Sequence, residues 1–97
     1  MNGQTSRVTV EGRELPAYVL ALGKANLVLV IAPKGFVMCG YLNIDAAEKM
    51  QDAACVVKGV TTAEELLDNM VVQCTEAAVR LGISVGISGR EALARML

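Results

Sequence analysis

Apolar positions in the first 42 residues either alternate with polar ones or run in short blocks, and both patterns predict β-strands. The predicted strands are residues 7–10, 14–22, 27–32 and 36–42. Glu11 and Gly12 are a candidate two-residue turn between the first two strands. Residues 33–35 predict a bulged turn between the last two, with Gly35 in the left-handed conformation. Strands with such short connections form an antiparallel meander.

The third and fourth predicted strands are apolar at nearly every position, so both of their faces need cover. Helices from the second half of the chain can cover one face. The chain is 54% hydrophobic and 20% charged, which is more apolar surface than one small core hides. We therefore expect a second subunit on the other face, in a homotetramer or dimer that assembles through the strands of residues 7–42.

From residue 43 onward the apolar spacing changes to that of short helices. Three segments have the spacing of a capping box, in which a side chain at the helix start accepts a backbone N–H three residues later. They begin at Asp45, Thr62 and Ser88. The first predicts a helix to about residue 53, the second a helix to about residue 68, and the third the terminal helix.

Three further elements complete the prediction for the second half. Residues 55–60 predict a fifth strand, and residues 83–87 a short strand or an extended link. Residues 70–81 predict a third helix, because their apolar positions recur at helical spacing and Gly82 follows as a left-handed end. The chain is thus predicted to be one α+β domain, β-rich in residues 1–44 and mixed, mostly helical, in residues 45–97.

Charge and composition exclude several classes of function. The net charge is −1, no basic stripe is present, and one Phe and two Tyr offer little surface for stacking bases, so we expect no nucleic-acid partner. The longest apolar run, residues 27–32, is too short to span a membrane. The polar first residues do not form a signal peptide, which predicts a cytoplasmic protein without a membrane partner.

The absence of histidine excludes imidazole bases and histidine metal sites. Cys39, Cys55 and Cys74 lie 16 and 19 residues apart and form no close-spaced pair, so we predict no metal and no cofactor. Cys39 is the one weak candidate for a catalytic thiol, with Lys34 as a nearby base in the sequence. The favoured interpretation of Cys39 is a small buried residue beside Gly40.

The segment before the terminal helix is the better candidate for a ligand site. Gly86, Ser88 and Gly89 could present free backbone amides to an anionic small molecule, and Arg90 could add its guanidinium. The alternative is purely structural and is favoured. In it Ser88 and Glu91 cap the helix, the glycines satisfy backbone geometry, and Arg90 is solvated.

Three stretches of this sequence, residues 24–28, 34–42 and 82–93, together resemble the YunC-like family of small bacterial and archaeal domains of unknown function (DUF1805 type). The strings GFVMCGYLN and GISVGISGREAL carry the resemblance. It implies a β-rich amino-terminal region used for tetramerisation and a mixed carboxy-terminal half, and it brings no activity. The sequence thus predicts a small, non-catalytic oligomeric domain, with the start of its last helix as the candidate site for an anionic small molecule. The alternative is a small cysteine-dependent enzyme using Cys39.

Overall fold

The computed structural model describes residues 3–97, which form one six-stranded sheet and four short helices. The strands are β1 (Gly3–Val10), β2 (Arg13–Leu22), β3 (Ala25–Ala32), β4 (Gly35–Met38), β5 (Ala54–Val57) and β6 (Val71–Cys74). The helices are α1 (Ile44–Lys49), α2 (Ala63–Asp68), α3 (Glu76–Arg80) and α4 (Gly89–Ala94). No helix within this described range is long and apolar enough to cross a membrane.

The strands lie in the order β1 to β6 across the sheet. Strands β1 to β4 pair antiparallel, which confirms the predicted meander. Strand β5 then pairs parallel to β4, and β6 pairs antiparallel to β5. The α+β class is therefore confirmed, while the sheet is mixed and larger than the predicted four-stranded meander.

The two predicted turns of the meander have different outcomes. Glu11 and Gly12 both have positive φ, at 49° and 78°, as the turn of a tight hairpin requires. The prediction for Gly35 is wrong, because its φ is not in the left-handed region and Ala32 pairs directly with Gly35 across a two-residue turn. Gly35 is required for another reason: a Cβ there would collide with the carbonyl oxygen of Ala53.

The predicted helix over residues 70–81 is wrong. This segment instead forms strand β6 and then the short helix α3. Thr75 separates the two, since its Oγ1 donates to the Asp52 carbonyl at 2.7 Å and accepts from the amides of Ala54 at 3.0 Å and Ala78 at 3.3 Å. One buried hydroxyl therefore caps α3 and ties it to the start of β5.

Side chains also cap the first turns of α1 and α2. Thr62 accepts the amide of Glu65 at 3.1 Å, as predicted for α2. The cap of α1 is Asn43 rather than Asp45, since the Asn43 Oδ1 accepts the Asp45 amide at 2.8 Å. Helix α1 also ends at Lys49, earlier than predicted, and Gln51 follows with a φ of 61°.

The segment of residues 83–87 forms no strand, and an isolated bridge between Met70 and Ser88 follows directly after it. It leads into α4 and lies along the outer edge of β6. The Val71 amide donates to the Ile87 carbonyl at 2.8 Å, and the Gly86 amide donates to the Val71 carbonyl at 2.9 Å.

The apolar core has two unequal parts, one on each face of the sheet. The larger part lies between the sheet and helices α2 and α4, and it includes Leu66, Leu93 and Met96, which are fully buried. The smaller part lies under α1 and consists of Met38, Ala47, Ala54 and Val56. The helices therefore cover one face of the sheet fully and the other only in part.

The close approach at Gly35 gives a test of the packing of β4 against the start of β5. Gly35→Ala should lower the free energy of unfolding by about 1 to 3 kcal/mol, because backbone must move to admit the methyl group. Gly40→Ala is the matched control, since its Cβ would lie 3.4 Å from the flexible Lys58 side chain. We expect the control to change stability by less than about 0.5 kcal/mol in urea unfolding. Equal losses of stability in the two variants would contradict the close approach of Gly35 to Ala53.

Candidate functional site

The part of the sheet that α1 leaves uncovered is an apolar surface. The side chains of Tyr18 and Leu29 lie opposite each other on β2 and β3, and those of Ile31 and Phe36 on β3 and β4. Tyr18 is 37% exposed and Ile31 is 38% exposed, which is high for large apolar residues of central strands. We call this surface the open face and define it by Tyr18, Leu20, Leu29, Ile31 and Phe36.

A groove of about 420 Å³ runs between the open face and α1. Eight of its ten lining residues are apolar, and only Asn43 and Asp52 are polar. The apolar lining residues are Leu29, Ile31, Phe36, Met38, Leu42, Ala46, Ala47 and Met50. Met50 stands at the rim with 73% of its surface exposed. The open face and this groove thus form one continuous apolar surface.

Polar side chains border the open face along β1. Alternation along that strand directs Arg7 and Thr9 to this side, because Val8 and Val10 face the larger core. Arg7 approaches Glu14 of β2, with 3.7 Å between Nη1 and Oε1, and both side chains are mostly exposed. An apolar centre with a polar border is the usual composition of a protein interface.

The predicted ligand segment makes many bonds within the chain. Ser88 caps α4, since its Oγ accepts the Glu91 amide at 3.0 Å. The Gly89 amide donates to the Asn69 carbonyl at 2.9 Å, and the Gly86 amide to the Val71 carbonyl at the same distance. Gly89 is buried, and a Cβ there would collide with the Leu66 carbonyl. The capping role of Ser88 is therefore confirmed, and two of the amides predicted to face a ligand have internal acceptors.

Arg90 also has partners within the chain. Its Nη1 donates to the Thr9 carbonyl at 3.3 Å, and its Nη2 lies 3.9 Å from an Asp68 carboxylate oxygen. The side chain nevertheless keeps 51% of its surface exposed. These contacts link α4 to β1 and to the end of α2. Anion binding at Gly86, Ser88, Gly89 and Arg90 stays a prediction.

Cys39 lies just after β4 and is 4% exposed. Its amide donates to the Val28 carbonyl at 2.9 Å, and its Sγ accepts the Val28 amide at 3.3 Å. Lys34 lies just before the other end of β4. The five extended residues from Lys34 to Cys39 place the two residues roughly 16 Å apart. The structure therefore does not bring the thiol and its suggested base together, and Cys39 continues the pairing of β4 with β3.

Two features of these sites were not predicted from the sequence. Met50 lines the groove, although only the strands of residues 7–42 were expected to form the interface. Cys55 and Cys74, predicted to lie in a strand and a helix, pair across neighbouring strands. Within residues 3–97, no group of three acidic or cysteine side chains is arranged to hold a metal ion.

Comparison with known proteins places the chain among relatives of unknown function. Residues 38–96 match the family model described as "Domain of unknown function (DUF1805)". The chain belongs to the DUF1805 family. It is 38% identical to the uncharacterised protein YunC of Bacillus subtilis (strain 168), over 93% of each chain. The YunC-like resemblance drawn from the sequence is thus confirmed.

A crystal structure similar to this fold is that of TA1206, a protein of unknown function from Thermoplasma acidophilum. The two share 30% sequence identity and superpose with a TM-score of 0.93, over 99% of this chain and 94% of that one. The two proteins therefore share the same fold. Neither relative brings an activity, so the chemistry must be inferred from this chain's own residues.

Substitutions at the start of α4 separate the capping role from anion binding. Ser88→Ala should lower the free energy of unfolding by about 0.5 to 2 kcal/mol, because the Glu91 amide loses its acceptor. Ser84→Ala, at an exposed serine of the preceding loop, is the control and should change it by less than about 0.5 kcal/mol. Urea unfolding measures both.

A second substitution, Arg90→Ala, tests whether the start of α4 binds an anion. If the segment holds an anion, millimolar phosphate or a dicarboxylate raises the thermal midpoint of the wild type, and Arg90→Ala abolishes that rise. Ionic strength is kept constant with sodium chloride. A wild-type midpoint that does not respond to these anions leaves Ser88 with its capping role alone.

Cys39→Ala should behave as a structural substitution. We expect a loss of about 1 to 3 kcal/mol, because a small volume is vacated and the buried Val28 amide loses its sulfur acceptor. In the folded wild type, alkylation of Cys39 at pH 7 should be slower than in the urea-unfolded chain, as mass spectrometry of timed samples can measure. Alkylation faster than in the unfolded chain would instead support a reactive thiol.

Proposed function

We propose that this chain acts as a small, non-catalytic domain whose subunits associate into a homodimer or homotetramer through the open face. The observation that carries the proposal is the apolar surface of the open face next to the groove along α1, where Tyr18 and Ile31 are exposed and Leu20, Leu29 and Phe36 are half-buried. Contiguous apolar surface of this kind on a small domain marks an interaction site. The strands concerned lie within residues 7–42, where the sequence predicted the interface.

A second copy of the chain is the partner that best fits this surface. A sheet face can pack on an identical face about 10 Å away, with side chains of the two sheets interdigitating. In a dimer with twofold symmetry both subunits use the same patch, so the apolar face of one copy meets the same face of the other. The aromatic rings of Tyr18 and Phe36 are side-chain types enriched at interface centres.

The groove along α1 also supports a second copy of the chain as the partner. Its apolar lining continues the open face, and the exposed Met50 at its rim is flexible enough to follow a partner's surface. The charged pair of Arg7 and Glu14 lies at the border, where it can stay hydrated during association. Association therefore removes water mainly from apolar groups, which favours binding.

The segment of residues 86–90 supports a secondary part of the proposal, the binding of an anionic small molecule. Arg90 supports it, because half of the guanidinium side chain stays exposed and its contact with Asp68 is long, at 3.9 Å. An anion could replace that exposed ion pair at little cost, since such pairs contribute about 0 to 1 kcal/mol. The Cys39 enzyme is not favoured, because the thiol is buried and Lys34 is remote.

A charge placed on the open face tests the assembly. The wild type should sediment as a dimer or tetramer of its 10.2 kDa chain at about 10 µM, a concentration at which standard interfaces hold. Ile31→Glu should shift it to the monomer, because association would bury an unpaired carboxylate. Val79→Glu is the matched control, since Val79 is 58% exposed on α3, a helix whose buried Ala78 belongs to the larger core rather than to the open face.

The far-ultraviolet circular dichroism of both variants should match that of the wild type, which shows that the fold is retained. The control variant should keep the wild-type sedimentation coefficient. A wild type that sediments as a clean monomer would refute the proposal, and so would an assembly that Ile31→Glu leaves unchanged.

A further inference from the structure

Two of the three cysteines meet across neighbouring strands at the far end of the sheet from β1. Cys55 of β5 and Cys74 of β6 are paired residues in the antiparallel register. The Thr75 amide donates to the Ala54 carbonyl at 3.0 Å, so these neighbouring residues form a hydrogen-bonded pair. Because the two kinds of pair alternate along an antiparallel ladder, Cys55 and Cys74 form a non-hydrogen-bonded pair. Side chains at such positions approach most closely, and the two Sγ atoms lie 3.7 Å apart.

This spacing is close to what a disulfide requires. An S–S bond is about 2.05 Å long and joins Cβ atoms about 3.5 to 4.5 Å apart. Directly opposed strand residues have Cβ atoms about 4.5 to 5.5 Å apart and come closest in pairs without hydrogen bonds, so a small approach of the two strands suffices. Side-chain rotation can supply the remaining movement of the sulfurs. The third cysteine is engaged elsewhere, because the Cys39 Sγ accepts the Val28 amide.

The two thiols differ in access to solvent. Cys55 is fully buried, whereas Cys74 is half-buried at the end of the edge strand. Burial raises the pKa of both thiols above the ordinary value, and the neighbouring Cys74 adds to the effect at Cys55. Both groups are therefore protonated at neutral pH, and Cys74 is the one that a small oxidant reaches first.

We propose that Cys55 and Cys74 are a reversible redox pair, which a hydroperoxide converts to a disulfide that clamps β6 to β5. The Cys74 thiol releases its proton to water as its sulfur attacks the peroxide, the O–O bond breaks, and the departing oxygen takes up a proton, so the products are a sulfenic acid and an alcohol or water. The Cys55 sulfur then displaces the sulfenic oxygen as water and forms the S–S bond. Two thiols and one peroxide thus give one disulfide, and an external dithiol returns the two electrons and two protons.

The disulfide would constrain a defined part of the molecule. It closes the segment of residues 55–74, which contains α2, the helix that packs with α4 in the larger core. Cross-linking this segment reduces the freedom of the unfolded chain, so the oxidised protein should be the more stable form. The clamp lies on the core side of the sheet and leaves the open face unchanged.

Mass spectrometry of the peroxide-treated protein tests the proposal directly. The three cysteines fall in separate tryptic peptides, residues 35–49, 50–58 and 59–80. We expect the intact protein to lose the mass of two hydrogen atoms and to yield peptide 50–58 linked to peptide 59–80. Dithiothreitol should reverse the change, and the thermal midpoint of the linked form should rise by at least about 5 °C.

Variants identify the sulfurs concerned. Cys39→Ala should form the link as the wild type does, and Cys74→Ala should not form it. The wild-type experiment needs no variant, so a variant that fails to fold leaves the test valid. Free thiols after peroxide treatment, oxidation of Cys74 to a sulfinic acid without a link, a disulfide between subunits, or a linked form with an unchanged midpoint would each overturn the proposal.

Discussion

The central pair of parallel strands, β4 and β5, needs apolar cover on both faces, and the rest of the structure follows from how that cover is supplied. Val37 and Cys55 face the larger core, whereas Met38 and Val56 face the smaller one under α1. Helix α1 packs on this smaller core, and a helix with its side chains is about 10 to 12 Å across, enough to cover two strands spaced about 4.8 Å apart. The apolar face of β2 and β3 therefore stays open beside α1.

Much of the fold could be predicted from local signals, and the main error arose where the deciding contact is distant in the chain. Continuous apolar runs revealed the third and fourth strands, and the caps at Thr62 and Ser88 marked their helices correctly. The apolar spacing of residues 70–81 fits a helix, but strand pairing with β5 prevails there. Thr75 decides this, because its hydroxyl bonds to Asp52 and Ala54, more than 20 residues earlier.

The candidate sites show the same limit. In the segment before α4, the sequence shows the hydroxyl of Ser88 and the guanidinium of Arg90, but two of the amides that it suggested for an anion have acceptors within the chain. The internal partners of this segment could not be inferred, because the Thr9 carbonyl that accepts from Arg90 is 81 residues away. The open face was better predicted, because apolar residues on both faces of one strand are visible in the sequence. Its extent depends on where α1 ends, which sequence spacing placed too late.

The two edges of the sheet constrain how subunits can meet. The outer edge of β6 is occupied, because Val71 exchanges backbone hydrogen bonds with Gly86 and Ile87. A loop that covers an edge strand in this way blocks the addition of a strand from another chain. The opposite edge, β1, carries the exposed and charged Arg7, and such residues discourage edge pairing. For the proposed assembly, the face of the sheet is therefore a more favourable contact surface than either of its edges.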